Sequence, residues 1–137
     1  MRTKLLFGIA LTLAFACGLS VPSFVGAQSP ISAKNVMQDP LKGGIYEETI
    51  MQVVTIAPGG VVPWHIHPDG HEITYVLEGA ITLDVDGVGK KTIPAGEGFH
   101  VQPNVPHMAV NEGSTPVRAL VVRLKPKDQP IMVPVKR

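Results

Sequence analysis

The stretch Gly59-Gly-Val-Val-Pro-Trp-His-Ile-His-Pro-Asp-Gly-His-Glu-Ile-Thr-Tyr-Val-Leu-Glu-Gly79 decides how this chain is read. It holds two short strand-like runs, Trp64 to His67 and Ile73 to Leu77, separated by the turn residues Pro68, Asp69 and Gly70 and closed by Gly79. His65 and His67 lie two apart, so in a strand their side chains leave the same face and can converge on one point. The turn can fold the chain back and bring Glu72 beside them. Trp64 and Ile66 alternate with the two histidines, and Ile73, Tyr75 and Leu77 alternate with Glu72. These five residues should therefore form an apolar outer face.

Working outward, the same texture continues on both sides. Short runs rich in β-branched residues recur, broken by Gly, Pro, Asn or Asp roughly every 8–12 residues. They are 49–57, 64–67, 73–77, 80–86, 90–93, 98–101, 107–111 and 117–124. In 80–86, Ile81, Leu83 and Val85 share one face and Thr82, Asp84 and Asp86 the other, and Asp86-Gly87 makes a hairpin turn. No window carries a helical period, and 13 prolines in 137 residues oppose long helices. The expectation is an all-β sandwich or barrel over 45–125. Residues 28–44, with Pro30, Pro40, Gly43 and Gly44, read as a linker or loosely packed N-terminal arm. Residues 126–137, with three prolines, read as a tail that is either an edge segment or a loose end.

All 5 histidines fall between positions 65 and 107. His107 lies on a later strand and could close a site with His65, His67 and Glu72 from across a barrel. Three imidazoles and one carboxylate suit Fe, Mn, Co, Ni, Cu or Zn and disfavour calcium or magnesium. A His-x-His pair taken alone is as readily a polar strand face. His71 is a rival to Glu72 as ligand, or else a rim histidine. His100 points into the barrel if Phe99 and Val101 point out, and could then carry protons beside Glu72. Met51, Phe99, Met108 and Val110 are candidate apolar walls by local patterning.

The wider spacing resembles the cupin family. Gly59, five residues, His65, one, His67, four, Glu72, six, Gly79 is similar to the first cupin motif. Gly96, Gln102, Asn104, His107 and Asn111 follow the second. Gln102 stands where the family usually has proline and Asn104 where it has glycine; Asn tolerates the left-handed backbone that glycine supplies. The resemblance covers roughly 45–125 and implies a double-stranded β-helix (jelly-roll) cupin barrel. It implies one divalent transition metal per chain (Fe, Mn, Ni, Cu or Zn) on His65, His67, Glu72 and His107. It also implies an oxidoreductase of dioxygenase kind acting on a small organic substrate, a non-redox isomerase or lyase, or a ligand-binding barrel without catalysis.

Residues 1–27 open with Arg2 and Lys4, run almost wholly apolar from Leu5 to Leu19, and end in Val25-Gly26-Ala27. That order reads as a secretory signal peptide cleaved after Ala27, giving an exported, periplasmic protein with no membrane segment after cleavage. A retained anchor is opposed by the short run and Pro22, and a lipoprotein on Cys17 by Ala14 at the position where leucine is usual. Cleavage removes two of the 12 bases, none of the 11 acids and the 1 cysteine. The remainder is slightly acidic and gives no sign of a nucleic-acid partner, which would want a basic patch, and it has no disulfide. Its small core and apolar outer strands point to a homodimer.

Overall fold

The computed structural model describes residues 29–40 and 44–136. The expected signal peptide, residues 1–27, lies outside them. Among the described residues there are ten strands and no helix. They are β1 (Ile31–Pro40), β2 (Glu48–Ile56), β3 (Val61–Ile66), β4 (His71–Glu78), β5 (Ala80–Val85), β6 (Gly89–Pro94), β7 (Gly98–Val101), β8 (His107–Val110), β9 (Val117–Lys125) and β10 (Val133–Pro134).

Two antiparallel five-stranded sheets, ordered β1-β2-β9-β4-β7 and β10-β3-β8-β5-β6, face one another. The β1–β2, β4–β7, β10–β3 and β5–β6 ladders lie at the sheet ends; β8 joins β3 to β5 and β9 joins β2 to β4. The chain thus passes repeatedly from sheet to sheet, and the fold is the double-stranded β-helix that the cupin resemblance implies. Alternation decides which side chains fill it. On β4, Glu72, Thr74 and Val76 are buried while Ile73, Tyr75 and Leu77 are exposed. Ile56, Val76, Ile81, Leu83, Ile93, Val117, Ala119 and Val121 form the apolar core. The hairpin closes at Asp86–Gly87 as expected, with Gly87 at φ 75° and Val85 paired to Gly89.

Two segments differ from their sequence reading. Part of 28–44 is not a loose arm: β1 pairs with β2 along its whole length, with a bulge between Asn35 and Met37. It has polar residues on both faces because it is an edge strand held by its ladder, and the bulge and Lys34 guard the open edge. It extends the sheet and leaves the outer face of β4 bare, with Ile73 46 %, Tyr75 48 % and Leu77 39 % exposed. The C-terminal segment does take the edge position, where Val133 and Pro134 pair with Ile66 and His65 of β3.

Candidate metal centre

His65 on β3 is paired in register with His107 on β8. His67 follows β3 directly, and Glu72 lies on β4 in the facing sheet. Each of these four buried residues offers one donor atom, all within 4.8 Å of one another. The three imidazole centroids lie 4.1 to 5.1 Å apart.

Backbone carbonyls aim the rings. His65 Nδ1 donates to Pro63 O at 2.7 Å, His107 Nδ1 to Val105 O at 2.9 Å, and His67 Nδ1 to Ile131 O. A carbonyl oxygen only accepts, so each Nδ1 carries the proton and each Nε2 presents a lone pair. The Nε2 atoms of His67 and His107 are buried without any hydrogen-bond partner. Buried polar atoms are rarely left so, and three unprotonated nitrogens converging beside a carboxylate fit a bare cation. The donor set therefore fits one transition metal held by His65, His67, Glu72 and His107.

The electrostatics agree. Burial pushes the His65 imidazole down to about 4 and also lowers His107, so both stay neutral and ready to ligate at ordinary pH. Burial works to raise the Glu72 carboxyl, but the Arg123 guanidinium beside it acts the other way, and the carboxyl lies below the usual range. His67 Nε2 lies 2.9 Å from Glu72 Oε2 without the geometry of a hydrogen bond. Two lone-pair-bearing atoms set that close are the arrangement a shared cation relieves. Arg123 Nη2 reaches Glu72 Oε2 at 2.6 Å and Nη1 reaches Gln52 Oε1 at 2.6 Å, while Gln52 Nε2 donates to Asn35 Oδ1 at 2.7 Å. A polar line thus runs from the edge strand β1 to the ligand carboxylate.

The loops bearing the histidines are clasped together. Asp69 and Asn104 both adopt left-handed backbone, at φ 50° and 62°. Asn104 Nδ2 donates to Asp69 Oδ1 at 2.9 Å and Asp69 N to Asn104 Oδ1 at 3.2 Å. Asn104 N also reaches His67 O at 3.1 Å. The Asn at the family's glycine position keeps the required φ and adds the clasp.

A cavity of about 60 Å³ opens beside the four donors, with His65, Glu72, His107 and Arg123 at its polar end and Phe99, Ala109 and Met132 among its apolar walls. At roughly 10–15 Å³ per water, it admits a few water molecules or a substrate end of comparable size.

Several sequence expectations need correction. His100 does not point into the barrel. Val101 is paired with Glu72 and shares its inward face, Phe99 lines the cavity, and His100, opposite Ile73, is exposed outside. His71 also points outward, bonded to Tyr46 Oη and His100, so Glu72 and not His71 joins the cluster. Of the candidate walls only Phe99 lines the cavity; with His107 inward, Ala109 points in and Met108 and Val110 do not. Arg123, Gln52 and the Ile131 carbonyl were not foreseen. Arg123 shares the inward parity of Ala119 and Val121, and a charge at that parity is the signal that would have found it.

Comparison with known proteins places these features. Residues 52–123 match the family model described as Cupin domain, and the chain belongs to that family. It is 30 % identical over 113 residues to germin-like protein subfamily 2 member 2 of Arabidopsis thaliana, covering 77 % of this chain and 50 % of that protein. It is 36 % identical over 70 residues to germin-like protein 1 of Brassica napus, covering 48 % of this chain and 34 % of that one. The chain thus spans half or less of the length of these relatives. Among solved structures, an oxalate oxidase in complex with a substrate analogue, glycolate, superposes with TM-score 0.63 at 24 % identity, covering 88 % of this chain and 63 % of that one. KdgF from Halomonas sp. superposes with TM-score 0.62 at 22 % identity, covering 74 % and 84 %. Both show the same fold.

Proposed function

We propose that this chain is an exported, metal-dependent oxidoreductase of dioxygenase kind acting on a small organic substrate. The observation that carries the reading is the convergence of three unprotonated Nε2 atoms and one carboxylate at the polar end of a largely apolar cavity. A bound Fe, Mn, Ni or Cu would supply Lewis-acid and one-electron chemistry there. The chain's own residues do the rest. His65, His67 and His107 hold the ion, and Pro63, Val105 and Ile131 carbonyls keep their rings aimed. Arg123 keeps Glu72 ionised, which suits a ligand and leaves it a weak proton carrier near neutral pH. Phe99 and Met132 limit water and restrict entry to a narrow substrate end.

Oxygen uptake by protein loaded in turn with Fe, Mn, Ni and Cu, against panels of small carboxylic acids and phenols, tests this. Consumption that requires the metal and disappears in His107→Ala is expected. Bound metal with no oxygen consumption across the panels would overturn the oxidoreductase reading.

Export rests on the order of residues 1–27, and N-terminal sequencing of the protein from its producing cells should begin at Gln28. A retained Met1 contradicts it. A homodimer that buries Ile73, Tyr75 and Leu77 against a second copy accounts for the bare outer face of β4. Sedimentation should show a dimer at micromolar concentration and a monomer for Tyr75→Glu; a wild-type monomer contradicts the pairing.

A further inference from the structure

The segment after β9 reaches back to the metal centre, yet little holds it there. No residue from Pro126 to Lys136 is buried. In β10, Val133 pairs with Ile66 and Pro134 with His65, and Pro134 has no N–H to give to the ladder. Just beyond, Val135 N donates to Trp64 O at 3.0 Å. A chain end with so few buried contacts opens at far less than the free energy of global unfolding. It nonetheless supplies two parts of the site. The Ile131 carbonyl accepts from His67 Nδ1, and Met132, 36 % exposed, lines the cavity.

We propose that residues 130–135 are a strap whose closure over the site is linked to metal binding through His67. The neutral His67 ring has one proton and two acceptors near it. With the strap closed, the proton sits on Nδ1 and is given to Ile131 O. Nε2 then turns a bare lone pair toward Glu72 Oε2, 2.9 Å away. Without a cation that approach is repulsive; with one, both atoms are ligands. With the strap open, Nδ1 loses its acceptor and the proton passes through water to Nε2. A small turn of the ring, which the bond to Ile131 O prevents, then lets Nε2–H donate to Glu72. That state satisfies the carboxylate without metal but removes the lone pair the metal needs. The cation therefore favours the closed strap, and its removal shifts the balance toward opening. Met132 rides on the same segment, so opening also uncovers the cavity. The strap belongs to the sheet that does not carry Ile73, Tyr75 and Leu77, so the proposed dimer contact does not involve it. The linkage needs His67 as a metal ligand and is indifferent to the redox reading.

Zinc, which suits the same donors and is neither redox-active nor paramagnetic, is the probe. Amide hydrogen exchange of the full chain, with and without stoichiometric zinc, reads the strap. Zinc should slow exchange at Val135 by about 10–100-fold, the range covered by loss of an outer partner of a metal-bound histidine. Val135→Pro removes the N–H bonded to Trp64 O and should weaken zinc by about 10-fold or more. Val135→Ala keeps that N–H and should bind zinc as wild type does. Because coupling is reciprocal, the loss in Val135→Pro cannot exceed the slowing at Val135 in wild type. Stoichiometric zinc with unchanged exchange at Val135 overturns the strap and leaves the ligand assignment standing. Equal zinc affinity in wild type and Val135→Pro does the same. A wild type that binds no zinc overturns both.

Discussion

Alanine at His107 is expected to cut the affinity for the barrel metal by at least ~100-fold, since loss of an outer partner alone typically costs 10–100-fold and a ligand is worth no less. His107 is 1 % exposed, its ring is aimed by Val105 O, and its Nε2 has no partner in the protein. Alanine therefore removes a lone pair that only a cation uses, and leaves three donors. His65→Ala and His67→Ala should act alike. Each variant should still fold, because an imidazole directed at its like neighbours adds little to the metal-free barrel. Elemental analysis after gel filtration checks this, and metal content unchanged in all three would refute the ligand assignment. The pH dependence follows from the same burial. In the unfolded chain His65 protonates near its ordinary 6.5, in the fold only near 4. Between those values the unfolded chain holds more protons, so stability is fully present above pH 6.5 and is lost as pH falls through this window. Bound metal should be lost over the same window, and retention undiminished at pH 4 would contradict neutral-histidine ligation.

Arg123→Met is expected to destabilise the metal-free protein by about 3–5 kcal/mol, the cost of leaving a buried charge without its partner. The Arg123 and Glu72 side chains are 12 % and 9 % exposed, and Glu72 has no other full positive charge bonded to it. Methionine keeps the aliphatic stem, so lost packing is minor. The metal-loaded protein should lose much less, because the ion takes over the compensation of Glu72. Thermal or urea unfolding of Arg123→Met with and without metal reads the difference. Equal losses in the two states would show that Arg123 does not serve Glu72 electrostatically.

Much of the site was legible because it rests on two periodicities. His65 and His67 share a face by strand parity, and Glu72 and His107 follow from motif spacing. Where parity hung on a short strand, the reading failed. β7 has four residues, so nothing local says which face Phe99 and His100 take, and a slip of one residue exchanges them. The face is set by pairing with β4, a contact between residues 23 to 29 positions apart in sequence. β1 was hidden for a different reason: an edge strand held by backbone hydrogen bonds needs no apolar face. The Ile131 carbonyl that aims His67 is a main-chain atom, which any residue type would supply.

The central claim is one transition-metal ion bound by four named side chains. Anomalous X-ray diffraction from crystals of the purified protein, recorded at the absorption edge of whichever metal it carries, tests it most directly. The account predicts a peak about 2.0–2.2 Å from Nε2 of His65, His67 and His107 and from a carboxylate oxygen of Glu72. Ordered histidines with no anomalous density between them, in protein that nevertheless carries metal, would contradict it.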